Sequence, residues 1–258
     1  MNNKITVVIT TYNNSNLIKD CLLSVIKQTY LPESIIVIDD FSVDIEITKK
    51  IINSLNKISQ IKIQLIVNKK NIGPGLSRNK AWNLVETEFV AFLDADDIFY
   101  KNKLECQIKL FKKFPKFSMI AGKKNFSTIN NIYKCDISII KKLSFNKMLF
   151  FNYVATSTVL LKNNIKQRFS NSYYAEDYKL WLLMLNKNKE ILFIDSNISA
   201  QNFNSDNKEK LSLNIFSMEI GIQKTLSSFY SNNFKINFLI FSSQLFSILK
   251  FIQRFFKK

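Results

Sequence analysis

The amino-acid sequence predicts an α/β fold with a Rossmann-like, mostly parallel sheet and helices on both faces. Short apolar runs, rich in β-branched residues, at residues 5–10, 34–38, 61–67 and 88–93 alternate with stretches of helical periodicity. Almost continuously apolar runs are typical of parallel strands that are buried on both sides. The 258 residues, 47% of them hydrophobic, suffice for one sizeable core with an appendage and are few for two full domains.

The helical stretches follow the apolar runs in a regular order. After the third run, a Gly-Pro-Gly loop leads to a helix predicted to begin at about Ser77. Residues 115–200 are less regular and end in an apolar helix headed by Glu176-Asp177 and in a last strand at 191–194. The other predicted helices lie at residues 17–26, 47–55 and 103–114.

Composition excludes several kinds of chemistry. The chain has no histidine, so a histidine-based triad, metal site or general base is impossible, and proton transfer has to rely on other side chains. The net charge of +17 favours anionic partners such as phosphorylated substrates or anionic lipid. The lysines are spread along the chain without a nucleic-acid-binding motif, so we expect no nucleic-acid partner.

The cysteines and the N-terminus predict a cytoplasmic protein. Cys21, Cys106 and Cys135 are an odd, widely spaced set that suggests neither a disulfide framework nor a metal site. The N-terminus enters a strand directly and lacks the features of a secretory signal.

The C-terminal segment differs from the rest, which predicts a domain at residues 1–205 and a helical extension at 206–258. Apolar residues recur at helical spacing from Phe238 to Phe256, but polar residues interrupt the run too often for a membrane span. One hypothesis places this tail against the anionic inner face of the cytoplasmic membrane. The alternatives are packing on the catalytic domain or a contact in a homo-oligomer.

Two acidic clusters end two of the predicted strands. Asp39-Asp40 follows the second run, and Asp94-Ala95-Asp96-Asp97 follows the fourth. Carboxyl ends of parallel strands meet at the edge where ligands bind, and neighbouring carboxylates there favour a cation. The Asp-x-Asp spacing suits Mn²⁺ or Mg²⁺, although the same residues could cap the following helix.

The sequence resembles glycosyltransferase family 2, whose members have the GT-A fold. The resemblance covers about residues 4–200 and rests on five motifs in the family's order, each weak alone. They are Val7-Val8-Ile9-Thr10-Thr11-Tyr12-Asn13; Val37-Ile38-Asp39-Asp40-Phe41-Ser42; Asn71-Ile72-Gly73 with Ser77-Arg78-Asn79; Phe92-Leu93-Asp94-Ala95-Asp96-Asp97 with Lys103-Leu104-Glu105; and Glu176-Asp177-Tyr178 with Leu180-Trp181.

The resemblance implies a nucleotide-sugar site. Tyr12 would stack on the base, and Asp40, with Asp39 beside it, would accept a hydrogen bond from a ring N–H. Arg78 would approach the base or the diphosphate, and Asp94 would contact the ribose or the donor sugar. The residues assigned to this site are Thr10, Thr11, Tyr12, Asp39, Asp40, Arg78, Asp94 and Ala95.

The resemblance also implies the catalytic groups. Asp96 would hold Mn²⁺ or Mg²⁺, Asp177 would be the general base, and Glu176 would help to orient donor or acceptor. Inverting sugar transfer needs one base for the acceptor proton and one Lewis acid for the leaving diphosphate. The alternative for Glu176 and Asp177 is a pair of charges favoured by the helix dipole.

The implied function is metal-dependent, inverting transfer of one hexosyl or N-acetylhexosaminyl group to a glycan or lipid-linked acceptor of a bacterial surface polysaccharide. A UDP-sugar is the expected donor. The Gln/Arg-x-x-Arg-Trp signature of processive members is absent, and the third metal ligand is open near Gln201. The alternatives are a sugar-phosphate nucleotidyltransferase, whose Gly-rich N-terminal loop is missing, and a noncatalytic binding protein of the same fold.

Overall fold

A computed structural model describes residues 3–129, 136–202 and 214–229. Within these ranges, a nine-stranded sheet has the order β3-β2-β1-β4-β8-β6-β9-β5, with β7 paired to β9. The strands are β1 Ile5–Thr11, β2 Ser34–Asp39, β3 Lys62–Val67, β4 Phe89–Asp94, β5 Asp97–Phe99, β6 Met119–Ile129, β7 Ile140–Lys142, β8 Leu160–Lys162 and β9 Ile191–Asn202. The helices are α1 Ile18–Ile26, α2 Ile45–Ile58, α3 Pro74–Trp82, α4 Lys103–Lys113, α5 Phe145–Phe150, α6 Glu176–Asn186 and α7 Ile215–Ser227, with a 3-10 turn at Thr156–Thr158.

The first half of the sheet is parallel, as the sequence predicts. Strand β1 pairs in parallel with β2 and β4, and β2 pairs in parallel with β3. In this register Thr10 lies opposite Asp94, and Thr11 lies opposite Asp39. The two acidic clusters therefore lie at the same edge of the sheet.

Helices cover both faces of the sheet, which confirms the predicted layers. Alternate residues of β1 belong to different cores: Val7 packs with α1 and Ile52 of α2 on one face, and Val8 packs with Trp82 and Trp181 on the other. This division follows from the two-residue side-chain repeat of a strand.

The second half of the sheet is mixed rather than parallel. Strand β8 is antiparallel to β4 and β6, whereas β6 and β9 are parallel with irregular register. The prediction of a last strand at 191–194 is wrong in length, because β9 continues to Asn202. Its polar part is held by pairing with β5 and β6 and by Asp195, which forms ion pairs with Lys123 and Lys141.

Helix α3 begins earlier than the sequence predicts. The expected start near Ser77 is wrong, since the helix starts at Pro74, with Gly73 as its N-cap. Proline fits the first helical position because its φ is already helical and its missing N–H has no partner there. Gly73 has a φ of 86°, a conformation that favours glycine. Gly75 consequently lies in the first turn of the helix.

We expect Gly75→Ala to destabilise the protein by about 1–3 kcal/mol, although alanine ordinarily favours a helix. A Cβ atom at Gly75 would lie 2.7 Å from the Ser170 carbonyl oxygen and 2.8 Å from Cγ of Glu176. Urea unfolding measures the change, with the exposed Ser54→Ala of α2 as control. A Gly75→Ala protein that is more stable than the parent would contradict this close contact.

Helix α7, in the predicted C-terminal extension, packs against the first domain. Leu226 is fully buried in the core with Trp181, and Gly221 lies against Tyr174. The predicted boundary at 205/206, the tail with helical spacing from Phe238 to Phe256 and Cys135 lie outside the described residues. In the part of the chain that the structure describes, no helix has the length and apolar composition of a membrane span.

Candidate active site

The end of strand β1 supplies a threonine pair and an exposed tyrosine. Thr10 Oγ1 donates a hydrogen bond to Asp94 Oδ1 at 3.1 Å. Thr11 is buried, and its Oγ1 has no hydrogen-bond partner among the described residues. Tyr12 is 45% exposed at the rim of the site, the edge of the sheet where β1, β2 and β4 end. The tyrosine ring is therefore accessible for stacking.

Asp39 and Asp40 organise the loops at the end of β2. Asp40 accepts hydrogen bonds from Asn68 Nδ2 at 2.8 Å and from the backbone N–H groups of Ile72 and Gly73 at 2.9 and 2.8 Å. Asp39 is buried, which raises its pKa, while bonds from Ser42 oppose that rise. An ionised carboxylate has about four acceptor positions, so Asp40 keeps one for a further donor.

Tyr173, which the sequence analysis did not single out, lies near Asp40. Its ring packs on Gly73, its hydroxyl donates to Asn71 Oδ1, and it interacts electrostatically with Asp40 and Tyr12. Because Tyr173 is 43% exposed, the loop before α6 contributes a second accessible aromatic ring to this region. Its sequence context carries no recognisable signal.

Arg78 joins the two sides of the site. Its guanidinium donates from Nη2 to Asp94 Oδ1 and from Nη1 to Glu176 Oε1, both at 2.6 Å, and the residue is only 5% exposed. Burial alone would lower the pKa of Arg78, but the two carboxylates raise it on balance. Arg78 thus fixes the start of α6 against the end of β4. Its implied contact with the base or diphosphate stays a prediction.

Glu176 and Asp177 occupy the first turn of α6, after Ala175 in a left-handed conformation. Burial raises the pKa of Glu176 to about 7 against the opposing charge of Arg78. Burial also raises the pKa of Asp177. The charge of Arg78 and the hydrogen bond from Thr156 oppose this rise. Asp177 is half-buried, and its raised pKa gives the carboxylate a higher proton affinity than that of an exposed aspartate.

The carboxylates after β4 have different surroundings. Burial alone would raise the pKa of Asp94, but the charges of Arg78 and Lys124 lower it on balance. Asp97 is fully buried, and its Oδ2 accepts from Lys124 Nζ and Ser157 Oγ, both at 2.5 Å. Burial raises the pKa of Asp97 to about 7 despite Lys124. Asp97 therefore belongs to a buried hydrogen-bond network, whereas Asp94 and Asp96 lie at the rim.

The rim carboxylates fit a hard divalent cation that takes its remaining ligands from elsewhere. Asp94 and Asp96 are half-buried, and the intervening Ala95 is buried, with its N–H bonded to the Thr10 carbonyl at 3.0 Å. Among the described residues, no three histidine, cysteine or acidic side chains converge to form a metal site. Mg²⁺ and Mn²⁺ bind well to one or two carboxylates completed by water and substrate phosphates.

We expect Arg78→Met to lower the free energy of unfolding by about 3–5 kcal/mol, because two carboxylates would lose their buried partner. The loss in free energy of unfolding should grow with rising pH. Glu176, whose pKa is already raised to about 7, is neutral at low pH and becomes a buried charge without its partner at high pH. Denaturant titrations at several pH values measure the effect. Lys49→Met, which breaks an exposed pair with Glu46, is the control and should cost at most about 1 kcal/mol. Equal losses for both variants would contradict the role of Arg78.

Comparisons with known sequences identify the family of the chain. The family model described as glycosyl transferase family 2 matches residues 6–161. The chain is 33% identical over 200 residues, 77% of its own length and 73% of the relative's, to the Escherichia coli UDP-Glc:alpha-D-GlcNAc-diphosphoundecaprenol beta-1,3-glucosyltransferase WfgD. It is 29% identical over 191 residues to the amylovoran biosynthesis glycosyltransferase AmsB of Erwinia amylovora, covering 67% of this chain and 61% of that protein.

Solved structures share the fold at lower sequence identity. Staphylococcus aureus TarS 1–349 in complex with UDP-GlcNAc superposes with a TM-score of 0.67 at 17% identity, covering 93% of this chain and 71% of that chain. The mannosyltransferase PcManGT from Pyrobaculum calidifontis, solved with GDP-Man and Mn²⁺, has a TM-score of 0.64 at 14% identity over 87% and 63% of the two chains. Together with the family match, these findings show that the chain belongs to glycosyl transferase family 2 and is a glycosyltransferase with a GT-A fold.

Proposed function

We propose that the protein transfers one sugar, with inversion, from a UDP-sugar to a hydroxyl of a lipid-linked acceptor in the synthesis of a bacterial surface glycan. The observation that carries the proposal is the bridge formed by Arg78 between Asp94 and Glu176. This bridge holds Asp94 of the donor side next to Glu176 at the head of α6. The nucleotide would bind on the side of β1 and β2, and the proton acceptor would lie on the side of α6.

The donor nucleotide would bind at the rim, where β1 and β2 end. The accessible rings of Tyr12 and Tyr173 would stack on the base, and the open acceptor position of Asp40 would bind a ring N–H. Uracil has such an N–H, and the WfgD relative uses a UDP-sugar by name. Thr11 is buried, so its implied contact with the nucleotide stays a prediction.

In the transfer step, the oxygen of the acceptor hydroxyl attacks the anomeric carbon of the donor sugar, and Asp177 removes the proton of that hydroxyl. The bond from that carbon to the diphosphate oxygen breaks, and the nucleoside diphosphate leaves with the electron pair. Arg78 keeps the head of α6 in place. The raised pKa of Asp177 makes it a stronger base than an exposed aspartate.

The proposed cofactor is Mn²⁺ or Mg²⁺, held by Asp96 with Asp94 beside it. When bound, the ion would act as a Lewis acid that neutralises the charge developing on the diphosphate. This proposal is supported by the donor chemistry of the two carboxylates and by the Mn²⁺ of the PcManGT structure.

The proposed acceptor is a polyprenyl diphosphate carrying a sugar, because the WfgD name specifies such an acceptor. A lipid-linked acceptor requires the enzyme to work at the membrane, so we propose a peripheral location on the inner face of the cytoplasmic membrane. The net charge of +17 favours attraction to anionic lipid. Contribution of the tail at 236–258, and a homo-oligomeric state, stay predictions.

A product assay tests the proposed function. The purified chain is incubated with a panel of nucleotide sugars, a GlcNAc-diphosphate lipid and Mn²⁺, with and without a chelator. We expect UDP release that requires both acceptor and metal, and a β-linked product. Pyrophosphate formation would indicate a nucleotidyltransferase, and the absence of any turnover across the panel would contradict the proposal.

A further inference from the structure

The 3-10 turn Thr156–Thr158 connects two carboxylates that belong to different elements. Thr156 Oγ1 donates a hydrogen bond to Asp177 Oδ2 at 3.2 Å. The adjacent Ser157 Oγ donates to Asp97 Oδ2 and accepts from the backbone N–H of Asp94 at 3.2 Å. One short segment therefore contacts both the end of β4 and the head of α6.

Buried polar side chains of α4 hold this turn in place. Gln107 Nε2 donates to the carbonyl oxygens of Thr158 and Ile120 at 2.9 and 2.8 Å. Lys103 Nζ donates to Gln107 Oε1 at 2.9 Å and to the Val159 carbonyl at 3.3 Å. Both side chains are fully buried, where a satisfied polar network rigidifies and specifies a unique arrangement.

We propose that Thr156 is a positioning residue for Asp177: its hydroxyl, presented by a fixed turn, holds the carboxylate in one orientation for proton transfer. This inference rests on the proposed function, in which Asp177 is the base. The second oxygen of Asp177 accepts from the backbone N–H of Tyr178 at 2.6 Å. With one donor on each oxygen, rotation of the carboxylate is restricted, and each oxygen keeps a free acceptor position.

The pKa of Asp177 depends on the charged groups around it and on the hydrogen bond from the Thr156 hydroxyl. Arg78 of α3 lowers the pKa of Asp177, and Asp94 of β4 raises it. Glu176, next to it on α6, is electrostatically coupled to it. The hydrogen bond from Thr156 also lowers the pKa of Asp177, because it favours the charged form. Removing that bond should raise the pKa of the base.

The experiment compares Thr156→Val, Thr156→Ser and Thr158→Val, assayed with UDP-glucose and a GlcNAc-diphosphate lipid over a range of pH. Thr158 lies in the same turn, but its hydroxyl donates to the Ala155 carbonyl rather than to any carboxylate of the described residues, so it is a matched control. We expect Thr156→Val to lower kcat about tenfold, the value of one hydrogen bond to a charged group. The acidic limb of the pH–rate profile of this variant should move to higher pH. Thr156→Ser, which keeps a hydroxyl, should have the kcat and the acidic limb of the parent protein. Thr158→Val should not move the acidic limb.

A double variant distinguishes action through Asp177 from a structural effect. If Thr156 acts through Asp177, adding Thr156→Val to Asp177→Asn should cost no further activity. A Thr156→Val protein with an unmoved acidic limb, or an additive loss in the double variant, overturns the inference. If Thr156→Val does not fold, Thr156→Ala provides the same comparison. Absence of turnover in the parent protein across the panel of nucleotide sugars overturns the proposed function instead.

Discussion

Asp177→Asn is expected to bind the nucleotide sugar like the parent protein and to lose about 100- to 10,000-fold in kcat, the usual contribution of a general base. The amide has nearly the same shape as the carboxylate, and its single oxygen can still accept one of the two bonds donated by Thr156 and the Tyr178 N–H, but it cannot take the acceptor proton. Isothermal titration with UDP gives the binding constant, and UDP release in the presence of acceptor gives kcat.

A surface aspartate provides the control for this prediction. Asp195→Asn makes the same chemical change on β9, where the carboxylate pairs with Lys123 and Lys141, whose hydrogen bonds lower its pKa. Its turnover should match that of the parent. If Asp177→Asn also kept near-native turnover, another group would have to be the base. A parallel loss of UDP affinity would instead indicate that Asp177 shapes the donor site.

Asp96→Ala is expected to abolish the part of donor binding that depends on Mn²⁺. In the part of the chain that the structure describes, Asp94 and Asp96 are the partly exposed carboxylates at the end of β4, and Asp94 Oδ1 is already bonded to Arg78 and Thr10. Loss of a direct ligand should cost at least the roughly 10- to 100-fold in metal affinity that is lost when a hydrogen-bond partner of a metal ligand is removed. Titration of UDP with and without Mn²⁺ measures the difference.

The chelated protein and a surface variant complete this comparison. With a chelator present, Asp96→Ala and the parent should bind UDP equally, since the metal-dependent component is absent from both. Asp136→Ala removes an exposed carboxylate that accepts hydrogen bonds from Ser138, and it should leave the Mn²⁺ effect intact. A Mn²⁺-dependent gain that survives in Asp96→Ala would remove Asp96 from the proposed metal site.

The elements of the first half could be predicted because their signals are local. The apolar runs that became β1, β2 and β4 are continuous and end in polar residues, and their parallel pairing follows from the intervening helices. That pairing in turn brings Asp39-Asp40 and Asp94 to one edge. Strand β9 was predicted too short, because its polar residues are held by pairing with strands that are distant in sequence.

Several neighbours of the predicted residues could not be found from sequence. Thr156, Ser157 and Lys124 contact Asp177 and Asp97 across large separations along the chain. Single hydroxyl and amino groups of this kind are common throughout the sequence. Tyr173 is likewise one of nine tyrosines in the chain. Only the folded arrangement selects these groups from their many chemical equivalents.

The sequence by itself determined the class of fold, the family and the edge of the sheet where the acidic residues gather, since strand periodicity and short motifs depend on residues close together in the chain. The tertiary structure decided which carboxylates are accessible and which are buried, and how they are paired. Asp97 faces inward to Lys124, whereas Arg78 is shared by Asp94 and Glu176. These differences arise from desolvation and from contacts between distant segments, which exist only once the chain is folded.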